Sequence, residues 1–128
     1  MMQRFIPLGN GYSDIYELMY IGRAMPERVR HMLVLHPFDE NNPEASLALV
    51  MKPTNPGNFQ PIYICLEGVP IPSKRYDLWR ELADELQHDV IELTVSPSGK
   101  FSDQEIFFQH LIGILRTNHY LPRLQRSF

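Results

Sequence analysis

A chain of 128 residues with 12 basic and 15 acidic side chains, a net charge of −3 with neutral histidines, is sized for one domain spanning residues 1–128. It has no general attraction to nucleic acid or anionic lipid, so any basic site must be local. The single cysteine, Cys65, excludes an internal disulfide and a multi-thiolate metal site, and its apolar neighbours predict a reduced, buried thiol.

Residues 1–8 lack the apolar stretch of a secretory signal, and no later run approaches the ~20 apolar residues of a membrane span. The expected compartment is therefore the cytoplasm, without a membrane partner. Arg4 to Leu8 reads as a short strand ended by Gly9-Asn10-Gly11. This Gly-x-Gly pair lacks both the third glycine of a dinucleotide fingerprint and a following Gly-Lys-Ser/Thr, so a plain turn outweighs a phosphate loop.

Asp14 to Arg23 reads as a strand, with Tyr16, Leu18 and Tyr20 opposite Ile15, Met19 and Ile21, and a helix is the alternative. Gly22 and Ala24 to Glu27 then reverse the chain into a second strand, Val29 to His36, stopped by Pro37. Asp39 to Pro43 forms a polar turn.

Ala45 to Pro70 organises the rest. Leu47, Leu49 and Met51 alternate with Ala48, Val50 and Lys52, and Ile62 to Leu66 returns as a β-branched and aromatic run, so the pair predicts a β-hairpin. Both faces of its first strand are apolar, as in a strand that is interior or covered on each side. Pro56-Gly57 has the φ preferences of a type II turn between them.

Ser73 is placed to cap a helix in which Tyr76, Trp79, Leu82, Ala83 and Leu86 recur at helical spacing. Val90 to Val95 alternates as a strand with one wetted face. Ser102-Asp103-Gln104-Glu105 reads as a capping box opening a helix through Leu115 that frays near Asn118. Strands early and helices late predict an α+β fold: an antiparallel sheet of about five or six strands, with the Ser73 and Ser102 helices packed on one face.

No constellation for catalysis can be read. His31, His36, His88, His110 and His119 have neither HExxH spacing nor cysteine partners, so no metal site is expected. His31 and His36 fall on opposite faces of a regular strand, His110 on the apolar face of the last helix, and His119 at that helix's end. Asp39-Glu40 and Asp84-Glu85 read as solvated charge, and Tyr12-Ser13-Asp14 lacks a nucleophile elbow. The sequence calls for no cofactor and leaves open whether the protein is an enzyme.

Two stretches are candidates for binding. Arg23, Arg28 and Arg30, with His31 and Tyr20 nearby, have the chemistry for phosphate contact and base stacking. The polar loop Lys52 to Pro61, with Asn55, Asn58, Phe59 and Gln60, could line a pocket. For both, the plainer reading is a solvated sheet edge and a self-bonded turn.

The phrases GYSDIYEL, KPTNPGNFQPIYICLEGVP, PSKRY and LIGILRTNHYLP, which span most of the chain, resemble a family of small uncharacterised proteins of spore-forming Gram-positive bacteria. The resemblance implies a bacterial cytosolic protein and carries no reaction, cofactor or catalytic residue with it.

Three functions follow in order. The first is a non-enzymatic, self-associating interaction module, whether with itself or with a protein partner, motivated by surplus aromatics at Tyr12, Tyr16, Tyr20 and Tyr63. The second is a small-molecule binding protein or enzyme acting on a phosphorylated ligand or nucleotide through the arginines and the Asn55 to Gln60 loop. The third, single-stranded nucleic-acid binding, is disfavoured by the acidic balance.

Overall fold

The computed structural model describes residues 3–8, 14–37, 44–53, 59–96 and 103–121. In chain order these form β1 (Gln3–Leu8), α1 (Asp14–Ala24), a 3-10 turn (Pro26–Arg28), β2 (Val29–Pro37), β3 (Glu44–Met51), β4 (Gln60–Pro70), α2 (Lys74–Leu86), β5 (Val90–Val95) and α3 (Gln104–Thr117).

The organising hairpin is present: β3 and β4 pair antiparallel, with Leu49 opposite Tyr63 and Leu47 opposite Cys65. Strand β2 adds to the other side of β3, also antiparallel. The expected all-antiparallel sheet is nevertheless wrong. The described strands form one five-stranded mixed sheet, in the order β1-β4-β3-β2-β5, in which β1 runs parallel to β4 and β5 parallel to β2. The cause is the helical connections. A helix returns the chain to the end of the sheet it came from, so β1 and β2, joined through α1, point the same way, as do β4 and β5, joined through α2.

The first of these helices corrects the strand reading of Asp14 to Arg23 in favour of its helical alternative. The buried residues are Ile15, Leu18, Met19 and Gly22, whereas Tyr16, Glu17 and Tyr20 are exposed. Spacing of i, i+3, i+4 and i+7 is the stripe of an amphipathic helix, and it overrides the strand preference of the tyrosines and isoleucines.

The helices also do not share one face. Ile15 and Leu18 of α1, with Trp79 and Leu82 of α2, pack on Met32, Val34, Leu47, Leu49 and Cys65. Phe107, Phe108, Leu111 and Leu115 of α3 cover the opposite face, formed by Leu33, Leu35, Ala48, Val50, Ile62 and Ile64. The two sets alternate residue by residue along β3, which is why both of its faces are apolar. A register shift between Val29 and His31 turns Val29 onto the same face as Met32 and Val34.

Ser73 caps α2 as expected, its hydroxyl accepting from the Tyr76 amide at 3.2 Å. At α3 the cap is Asp103, whose Oδ1 accepts from the Glu105 amide at 2.7 Å, one residue beyond the serine expected in that role. Ser102, the Gly9 to Gly11 turn, the Asp39 to Pro43 turn and the Pro56-Gly57 turn lie outside the described residues.

Candidate functional site

Strand β1 is one edge of the sheet, and α3 runs beside it on the second face. Between them lies a groove of about 690 Å³. Glu105, Phe108, Gln109, Ile112 and Arg116 reach it from α3, a single stripe at helical spacing, and Gln3, Arg4, Phe5 and Pro7 reach it from β1. Phe5 and Phe108 stack in its wall, with ring centroids 4.7 Å apart and planes 12° from parallel.

The polar groups of the groove are connected. Gln3 and Gln60 face each other in the β1–β4 register and are only 6% and 2% exposed; they are the buried polar residues of the described part. The Gln3 Nε2 donates to Gln60 Oε1 at 3.3 Å, while Gln3 Oε1 accepts a short hydrogen bond from Arg116 Nη2. A primary amide suits this position because it donates and accepts at once. Arg116 lies in the last turn of α3, where a cation also meets the negative end of the helix dipole. Its Nε is buried with no hydrogen-bond partner among the described residues. Strand alternation turns the Arg4 side chain away from Gln3 and Phe5, and its guanidinium sits 4.6 Å from the centroid of the Phe59 ring.

The groove is polarised along its length. Glu105 and Arg116 are about 16 Å apart at 1.5 Å of helix per residue. Glu105 accepts from Gln109 Nε2 at 3.3 Å, so its end is partly satisfied within the helix.

The opposite edge and face carry a second, smaller groove of about 340 Å³ between α2 and β5, lined by Tyr76, Arg80, Asp84, His88, Asp89 and Glu92 among others. The Oε1 of Glu92 is shared: it accepts from the Tyr76 hydroxyl at 3.3 Å and lies 3.1 Å from His36 Nε2. Burial first, then the Glu92 carboxylate, raises the Tyr76 phenol above its ordinary 10.0, with Arg80 opposing; the hydroxyl therefore stays protonated and donating. The Glu92 and His36 side chains are 55% and 33% exposed, so water screens their pairing. His31 and His36 do fall on opposite faces. His31 stacks edge-on against Tyr120 at 5.5 Å, and burial, then Arg30, lowers its pKa below 6.5.

The residues singled out in the sequence are distributed between these regions. Gln60 is brought to Gln3 beneath the first groove, and Phe59 to Arg4 on the other side of β1. Arg23 bridges from α1 to Glu85 of α2 at 3.0 Å. Arg28 donates to the Lys52 carbonyl at 3.0 Å, and Lys52 returns a hydrogen bond to the Glu27 carbonyl, so the basic turn and the start of the polar loop share one end of the sheet. Arg30 is exposed on β2, and Asn55 and Asn58 lie outside the described residues. Sequence reasoning missed Gln3, Arg4, Phe5, Phe108 and Arg116. One signal was available: Arg116 continues the Phe108–Ile112 stripe by four residues, placing a cation on a partly apolar helix face.

Among the described residues, no cluster of three or more His, Cys, Asp or Glu side chains is arranged to hold a metal ion. No described helix is long and apolar enough to cross a membrane. Neither a curated protein nor a solved structure matches the chain. The model of a domain of unknown function, DUF7147, does match, over residues 1–121, and the chain belongs to that family.

Proposed function

We propose that this protein binds a small molecule in the groove between β1 and α3. The observation that carries the reading is the relay Gln60–Gln3–Arg116, whose Gln3 and Arg116 line a groove of about 690 Å³. Burying polar groups in a fold is unfavourable unless they are paired, and a paired network beside an aromatic wall is the usual composition of a ligand pocket. The reading is tested by a thermal-shift and heteronuclear NMR screen of the full chain beside an Ile112→Trp variant, whose indole fills the groove. Compounds that bind should shift resonances of Gln3, Phe108 and Arg116, and the variant should lose the response. Binding that survives Ile112→Trp unchanged would place the site elsewhere.

A second reading, a self-associating module, is favoured by Tyr16 and Tyr20, which project from adjacent turns of α1 and are 46% and 72% exposed. Sedimentation velocity over a wide concentration range tests it. Association weakened by Tyr20→Glu supports the module, and a monomer at every concentration removes it.

A further inference from the structure

We infer that the ligand of the β1/α3 groove is an oxyanion, a carboxylate or a phosphoryl group, attached to a flat apolar body. This rests on the reading of the groove as a binding site. Three features of the cavity point the same way. Arg116 is held in place by its Nη2 bond to Gln3, and its buried Nε has no acceptor among the described residues. A guanidinium fixed on one side, with an unspent donor, is organised to receive an oxygen acceptor, and its planar fork matches carboxylate and phosphate geometry.

The remaining charges agree. Strand alternation turns the Arg4 side chain away from Gln3 and Phe5 and onto Phe59, so Arg116 is the guanidinium that faces the groove floor. The opposing carboxylate, Glu105, is three turns of helix away and bonded to Gln109. A cation would meet the Arg116 guanidinium, and a neutral acceptor would bond to it more weakly than an anion, which adds charge assistance.

The apolar half of the ligand follows from the wall. Phe5 and Phe108 lie nearly parallel, and Ile112 continues the surface one turn along α3. Near-parallel rings with an adjacent aliphatic side chain favour a planar group over a bulky or polyhydroxylated one.

The experiment uses three probes on the full chain: phenylacetate, phenyl phosphate and phenylacetamide, the neutral amide matching the first in shape. Affinities are measured by NMR titration on the wild type and on Arg116→Gln and Ile112→Trp, with circular dichroism confirming that each variant is folded. At least one anion should bind roughly tenfold or more tightly than the amide, as expected for charge-assisted hydrogen bonds. Arg116→Gln should erase that preference, and Ile112→Trp should abolish binding of all three. Which anion wins distinguishes a carboxylate from a phosphoryl ligand. If the amide binds as well as both anions and Ile112→Trp still blocks it, the groove stands as a site and the oxyanion class is overturned. An anion preference that survives Arg116→Gln overturns the role given to Arg116. If no probe perturbs the groove at millimolar concentration, the ligand class and the site both fall.

Discussion

The two grooves sit on opposite faces and opposite edges of the same sheet, and they handle polar groups in contrasting ways. Beside β1, Gln3 and Gln60 are buried and bonded to each other, and Gln3 to Arg116 Nη2, in a line. Beside β5, Glu92 is half exposed, and Tyr76 and His36 converge on one of its oxygens at the solvent boundary. Buried partners depend on each other, since water cannot replace a missing one. Exposed partners can exchange each other for water at little cost. The first arrangement is rigid and specific, whereas the second is adaptable and worth little to stability.

Substitutions can break this contrast at several levels. The largest effect is expected for Phe108→Ala, which removes a buried ring stacked on Phe5 and should destabilise by about 3–5 kcal/mol in chemical denaturation. Gln3→Leu should cost about 1–3 kcal/mol by stranding Gln60 and part of Arg116. The double variant Gln3→Leu with Gln60→Leu should cost less than the sum of the singles, because the second change removes a group already left unpaired. Additive costs would mean that the two amides are not coupled. Across the molecule, His36→Gln should change stability by no more than about 1 kcal/mol, with the difference shrinking in added salt. A cost comparable to that of Gln3→Leu would erase the distinction between the grooves.

The smallest expected effects are in pH dependence, and they have opposite signs on the two faces. The His31 pKa is lowered by burial, then by Arg30 and His88, against a backbone hydrogen bond with Tyr120. The unfolded chain therefore binds more protons between the folded pKa and 6.5, so the His31 contribution is complete above 6.5 and is lost as pH falls through the folded value. Stability measured from pH 7 downward should fall less steeply in His31→Gln. The Tyr76 pKa is raised, so its contribution is complete below 10.0 and is lost as pH rises through the folded value. Tyr76→Phe should flatten the alkaline limb and leave the acid limb unchanged.

Much of the fold was legible because it is local. The β3–β4 hairpin follows from two apolar runs and the breakers between them, and α2 from its Ser73 cap and the Tyr76–Trp79–Leu82–Ala83 stripe. The doubly apolar β3 strand also announced a sheet covered on both sides, a signal that favours separate faces for α2 and α3. Segment 14–23 was harder, because its tyrosines and isoleucines suit a strand while the order of burial suits a helix. Read as a strand, the segment offers no helical connection between β1 and β2, and an antiparallel sheet follows.

The site was less legible because its contacts are distant in sequence. Phe59 and Gln60 stood out in the polar loop, but Gln3 meets Gln60 only through the parallel β1–β4 register, and Arg116 reaches Gln3 across a separation of 113 residues. No local pattern in residues 3–5 marks them as the floor of a cavity. The clustered arginines drew attention instead, yet Arg23 and Arg28 are engaged by Glu85 and by the Lys52 carbonyl.

The measurement that tests the central claim most directly is the response of the Arg116 Nε–H resonance as phenyl phosphate or phenylacetate is added to the full chain. A buried donor awaiting an acceptor predicts a saturable downfield shift of that resonance with one of the two, absent in Ile112→Trp. An Arg116 signal that stays fixed while resonances elsewhere respond would contradict the account.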